Sequence, residues 1–136
     1  MIVRSIDELK NTEREIDTPN WSSTRLLLAG DNMGFSLHDT IIRAGTETKM
    51  WYKNHFEAVY CIEGIGQLED LENGKIYDIL PGVMYALDKH DRHILRGKTD
   101  MRMICVFNPS CVGTEIHDKE GAYPLTKQKE KRMEMA

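Results

Sequence analysis

The stretch Asn54-His55-Phe56-Glu57-Ala58-Val59-Tyr60-Cys61-Ile62-Glu63-Gly64 decides how the chain reads. Glu57 to Ile62 is rich in strand-forming residues, and Gly64 with Gly66 predicts a bend or bulge at its end. Glu57 and His55 share strand parity, so both leave the same face, about 7 Å apart. Downstream, Gln67 to Leu71 and Lys75 to Leu80 flank Asn73-Gly74, the strongest short hairpin signal in the chain. Pro81-Gly82 turns the chain again, and Val83 to Leu87 and His93 to Leu95 read as short strands.

Working outward, Met101 to Phe107 alternates, with Met101, Met103, Cys105 and Phe107 on one face, until Asn108-Pro109 stops it. Phe35 to Ile42 puts Phe35, Leu37, Asp39 and Ile41 on one face and Ser36, His38, Thr40 and Ile42 on the other. Thr24 to Leu28 is a further strand. Ser5-Ile6-Asp7-Glu8 has capping-box spacing, which predicts a short helix from Ile6. Many short strands divided by Gly, Pro and Asn turns indicate an all-β sandwich or barrel.

A chain of 136 residues, 40% apolar and 29% charged, fits one soluble domain. That domain is expected over residues 1–125, followed by a flexible charged tail over 126–136 with no apolar period to bury. The net charge of −4 offers no basic excess for nucleic acid or an anionic membrane. No apolar run reaches the roughly 20 residues that span a bilayer, and the start lacks the layout of a secretory signal. The 3 cysteines then read as reduced thiols in a cytoplasmic protein, with no Cys-x-x-Cys pair for structural zinc.

Taken singly, the polar residues of interest are ordinary. Glu57 reads as a solvent-facing carboxylate, His93 as a surface or satisfied core histidine, and Arg25 as an exposed strand-edge cation. Phe107 fits plain core packing as well as it fits a pocket wall. Glu115 and His117 fit a solvated strand end. Together they form a pattern. Glu57-x6-Gly64 matches the second half of the first cupin motif, and Gly82-x5-Asp88-x-His90-x2-His93 keeps the spacing of the second. Asp88 and His90 stand where that motif has Pro and Gly, and Gly97 stands where it closes on Asn. The His-x-His pair that ordinary cupins place before the glutamate is missing, because Met50-Trp51-Tyr52-Lys53 occupies that region. A conventional three-histidine, one-glutamate site is therefore excluded.

Pro81 to His93 resembles ectoine synthase, as do Trp21-Ser22-Ser23-Thr24-Arg25-Leu26-Leu27-Leu28, Cys105-Val106-Phe107-Asn108-Pro109, Gly113-Thr114-Glu115-Ile116-His117-Asp118 and Gly121-Ala122-Tyr123-Pro124-Leu125. The resemblance runs from Met1 to about Leu125 and implies an all-β, cupin-type β-barrel (jelly-roll-like) with a short N-terminal helix. It implies a cytoplasmic homodimer and a hydro-lyase that needs Fe(2+). The implied substrate is the small molecule N-γ-acetyl-L-2,4-diaminobutyrate, cyclised with loss of water to the compatible solute ectoine. The implied metal ligands are Glu57, Tyr85 and His93. The implied substrate pocket maps onto Trp21, Arg25, Thr40, Cys105 and Phe107. His55, Tyr52, Glu115 and His117 are placed near the chemistry. The resemblance implies that Asn is common at position 38, where this chain has His38, so the pocket contact of that position stays open.

Elementary chemistry agrees with this assignment. An amide carbonyl is a poor electrophile, and a divalent ion on its oxygen would stabilise the charge that develops on attack. One carboxylate, one phenolate and one imidazole would leave open coordination positions. Arg25 can offer a bidentate fork to the substrate carboxylate, with Trp21 and Phe107 as walls. Glu115 could orient the His117 ring, if both lie on one strand face. Cys105 reads as a small wall residue, with no neighbouring cation in sequence to activate its thiol. Two other classes stay open. A dioxygenase or isomerase of the same fold would need the absent His-x-His pair. A non-catalytic ligand-binding cupin is disfavoured only if Glu57, Tyr85 and His93 converge.

Overall fold

A computed structural model describes residues 1–124 of the chain. The charged tail expected over 126–136 lies outside the described residues. The predicted helix is the single turn α1, Ile6–Leu9, and its capping box is complete: the Glu8 amide donates to Ser5 Oγ at 3.2 Å, and the Ser5 amide donates to Glu8 Oε1 at 2.6 Å. Among the described residues ten strands follow: β1 Glu15–Asp17, β2 Trp21–Leu27, β3 Ser36–Ile42, β4 Glu47–Met50, β5 Phe56–Glu63, β6 Gly66–Asp70, β7 Ile76–Ile79, β8 Met84–Leu87, β9 His93–Gly97 and β10 Met101–Asn108. One sheet runs β1-β2-β3-β10-β5-β8 and the other β4-β9-β6-β7, antiparallel at every pairing.

Both sheets turn apolar residues into a single shared core. Val59, Cys61, Met101, Met103 and Phe107 come from the larger sheet, and Met50, Leu68, Ile79 and Leu95 from the smaller. The alternation foreseen in β10 holds residue by residue, with Met101, Met103, Cys105 and Phe107 buried. In β3 the inward set is Ser36, His38, Thr40 and Ile42. In β5 it is Glu57, Val59 and Cys61, so Glu57 faces the core and not solvent.

Two strands, β1 and β4, carry no sequence signal, being three and four residues long and largely polar. The Asn73-Gly74 turn joins β6 to β7, but pairing stops at Glu69↔Ile76, so the loop is longer than a two-residue hairpin. The Gly64 bend is real. Gly64 has φ +87°, and a Cβ there would meet the Asp100 carbonyl oxygen at 2.0 Å. Beside it the β5–β10 register shifts between Arg102 and Met103. His90, at the glycine position of the second motif, also has positive φ (52°). Its ring stacks on Phe56 at 4.5 Å, and its Nδ1 lies 2.8 Å from the Tyr52 carbonyl oxygen, contacts that hold the left-handed backbone in place.

Candidate active site

Strand register sets out the candidate residues in rows. Arg25 on β2 faces His38 on β3, which faces Cys105 on β10; Cys105 faces Val59 on β5, which faces Tyr85 on β8. In the adjoining row Phe107 faces Glu57, and Glu57 faces Leu87. Tyr85 is thus the diagonal neighbour of Glu57, and the two are electrostatically coupled. His93 approaches from the other sheet, on β9. Tyr52, in the loop before β5, links the two sides. Its ring lies 5.9 Å from that of His93 and 5.2 Å from that of Phe107, and it feels the charges of both Glu57 and Tyr85.

Burial dominates the electrostatics. Glu57 is pushed up to about 8, with partial relief from a hydrogen bond to the Cys105 thiol. The Tyr85 phenol is raised well above its ordinary value, by burial first and the Glu57 charge second. His93 is lowered by burial. Its Nδ1 lies 2.9 Å from the Asp91 carbonyl oxygen; a carbonyl only accepts, so Nδ1 carries the proton and Nε2 keeps its lone pair. That Nε2 is buried without a hydrogen-bond partner. Tyr85 and His93 also share a cavity of about 350 Å³ with Leu68, Val83 and Asp91. A larger groove of about 710 Å³ lies against α1 and the outer side of β3, and none of the candidate residues lines it.

Arg25 is fully buried. Its Nη2 donates to the Glu115 carbonyl at 2.8 Å, its Nη1 lies 3.7 Å from Glu115 Oε1, and Nε and Nη1 have no hydrogen-bond partner. Trp21, Thr40, Cys105 and Phe107 are buried on the same inner surface, with Thr40 Oγ1 donating to Ser23 Oγ at 3.3 Å. His55 is buried with its ring edge-on to Phe107 at 5.9 Å and to Tyr123 at 6.2 Å.

The expected Glu115–His117 contact does not form, because residues 109–120 make an irregular loop in which strand parity has no meaning. Glu115 instead accepts from the Val112 and Gly113 amides at 2.7 and 2.8 Å and pairs with Arg25. His117 Nε2 meets the Tyr52 hydroxyl at 2.6 Å, and its ring stacks on Tyr123 at 4.8 Å with an 8° interplanar angle. Burial, then the neighbouring His93 and Arg25, lowers His117 to about 4, so it is neutral near pH 7. Cys111 and Tyr123 complete this wall, Tyr123 against His117 and Cys111 beside Glu115. No sequence spacing pointed to either, since both sit in irregular chain without a strand period.

Two donor sets could hold a cation. In one, Tyr85 is the diagonal neighbour of Glu57 and shares a cavity with His93. His55, Cys111 and Glu115 form the other, with ligand atoms all within 4.8 Å of one another. The second set suits a cation less well. Its carboxylate already serves two amides and Arg25.

The family model described as ectoine synthase matches residues 1–127. The chain belongs to the ectoine synthase family. It is 57% identical to the L-ectoine synthase of Halalkalibacterium halodurans over 125 residues, covering 92% of this chain and 97% of the relative. It is 55% identical to the L-ectoine synthase of Oceanobacillus iheyensis, covering 92% and 98%. Among solved structures, the ectoine synthase from P. lautus superimposes with a TM-score of 0.84 at 59% identity, over 93% of this chain and 91% of that one. A cupin 2 conserved barrel protein from Salinispora arenicola superimposes with a TM-score of 0.63 at 18% identity, over 79% and 87%, which speaks to the cupin-type barrel alone. As a member of the ectoine synthase family the chain is an enzyme of the lyase kind that acts on a small molecule. Among the described residues no helix is long and apolar enough to cross a membrane.

Proposed function

We propose that this chain closes the ring of N-γ-acetyl-L-2,4-diaminobutyrate with loss of water, giving ectoine, with Fe(2+) held by Glu57, Tyr85 and His93. One observation carries the reading. Arg25 Nε and Nη1, His38 Nε2 and His93 Nε2 are buried polar atoms without hydrogen-bond partners, on inner strand faces of one barrel. Buried polar groups are nearly always paired, so such a set is what a polar ligand and a metal would complete.

The donor set fits a divalent ion. His93 offers a lone pair already oriented by Asp91. Glu57 and Tyr85 are acids that burial keeps protonated, and a nearby cation would hold both ionised. Bound iron would supply Lewis acidity toward the acetyl oxygen.

The protein's own groups would do the rest. Arg25 would grip the substrate carboxylate through Nε and Nη1, the two nitrogens without a hydrogen-bond partner. Trp21 and Phe107 would wall the carbon skeleton and exclude water, and Thr40 would offer a hydroxyl. Cys105 would act as a wall, because burial and the Glu57 charge raise its thiol well above the ordinary range. Tyr52 keeps its proton, being raised by burial, and with neutral His117 it forms a pair able to pass a proton across a 2.6 Å contact. His55 would close the floor beside Phe107. Glu115 would hold Arg25 in place. The family reading also implies a homodimer and a cytoplasmic location, which three free, buried cysteines suit.

Incubating iron-loaded protein with the acetylated diamino acid and following the cyclic product by chromatography tests the reading. Formation of ectoine supports it, and its absence with fully loaded, folded protein rejects it.

A further inference from the structure

Of the buried groups not yet given a role, His38 stands apart. It is 1% exposed, its ring rests on Phe107 at a centroid distance of 4.9 Å, and its Nε2 has no hydrogen-bond partner. The groups facing it are Arg25 from β2, Cys105 and Phe107 from β10, and His55 from the loop before β5; none is a carboxylate. Burial, then Arg25 and His55, hold the imidazole well below its ordinary range, so it is neutral in the free protein.

The cross-strand pairing gives this atom a use. Directly opposed residues on neighbouring strands lie roughly 5 Å apart at Cβ, and Arg25 is the residue opposed to His38. An α-amino acid carries its carboxylate and its ammonium on one carbon. A carboxylate seated on Arg25 Nε and Nη1, which have no hydrogen-bond partner, would turn the ammonium toward His38, whose imidazole feels the Arg25 charge.

We propose that His38 Nε2 accepts the proton that the substrate's α-ammonium must lose before ring closure, and later returns it to the departing water. This rests on the ring-closing reading above. The bound carboxylate offsets the Arg25 charge, which makes the imidazole more basic when substrate is present. The freed nitrogen lone pair forms the C–N bond to the acetyl carbon, and the carbonyl π pair moves to oxygen. That oxygen takes one proton from the attacking nitrogen and one back from His38, leaves with its bonding pair as water, and a C=N bond forms. Four hydrogens on the two substrate nitrogens become two on the cyclic amidinium and two in water, so no oxidant or reductant is needed.

The test compares His38→Gln with the parent protein over pH. Gln fills the space and still forms hydrogen bonds, but it does not titrate. The variant is expected to lose on the order of 10²–10³ in kcat, with KM changed less than about threefold. Its kcat/KM should climb about tenfold per pH unit below the ammonium's own pKa, since only free amine can then react, while the parent stays flat. An unchanged kcat and pH profile would overturn the proposal. A second measurement does not depend on turnover. In diamagnetic, zinc-substituted parent protein labelled with 15N-histidine, adding N-γ-acetyl-L-2,4-diaminobutyrate should move the His38 Nε2 signal toward imidazolium. If the parent closes no ring, the ring-closing reading falls, and this signal alone decides His38: movement keeps it as proton acceptor, and no movement overturns it.

Discussion

Replacing Glu115 by Gln separates a structural latch from a catalytic group. The Glu115 carboxylate accepts two amide hydrogen bonds, from Val112 at 2.7 Å and Gly113 at 2.8 Å, and sits 3.7 Å from the buried Arg25 guanidinium. A glutamine keeps one acceptor oxygen and turns an NH2 group toward the other amide. One charge-assisted hydrogen bond is lost, about 1.5–3 kcal/mol. Arg25, 0% exposed as a side chain, is left without its counter-charge. Breaking a buried pair by removing one partner typically costs about 3–5 kcal/mol. The effects overlap, so the expected loss is about 3–5 kcal/mol, a large part of the 5–15 kcal/mol that holds a domain together. In urea, with m of about 1–3 kcal/mol/M, the midpoint should fall by at least about 1 M with m unchanged. If the midpoint stays within about 0.2 M while turnover disappears, Glu115 is a chemical group and the latch account is wrong.

Further outcomes follow from other sites. Asp31 is held down to about 2 from 3.8, chiefly by its hydrogen bond to Arg4. Its stabilisation, about 2 kcal/mol, is therefore present above pH 4 and lost as pH falls toward 2. The stability gap between parent and Asp31→Asn should close over that range; a gap independent of pH contradicts the ion-pair argument. Gly64→Ala combines φ +87° with a Cβ 2.0 Å from the Asp100 oxygen and should cost about 2–4 kcal/mol. A thermal unfolding midpoint equal to that of the parent would show that the bend relaxes freely. Tyr52→Phe deletes the 2.6 Å contact to His117 and should lower kcat on the order of 10²-fold, while stability changes by about 1 kcal/mol. Undiminished kcat there removes Tyr52 and His117 from proton transfer.

What could be read in advance was whatever a short-range pattern encodes. Alternation in β10 identified Cys105 and Phe107 as inward residues, and parity in β3 put His38 and Thr40 on one face. The capping box announced α1, and the paired motif spacings implied the barrel. The failures came where geometry is set by distant partners. β1 and β4 exist because longer strands give them a backbone to pair with, not because their own residues favour it. Glu115 and His117 are two apart in sequence, yet one turns to Arg25 and the other to Tyr52, 90 and 65 residues away. Nothing within a strand-length window announces such contacts. Glu57 was ambiguous for a related reason: its burial follows from the company of Phe107 and Leu87 on adjacent strands.

Metal content tests the central claim most directly. Glu57→Ala, Tyr85→Ala, His93→Ala and Cys111→Ala proteins, each verified as folded, would be loaded with iron(II) and analysed for bound metal. The three-donor account predicts that the first three hold little iron and that Cys111→Ala holds as much as the parent. Full iron in the first three, with loss in Cys111→Ala, would contradict it and move the metal to the His55, Cys111 and Glu115 cluster.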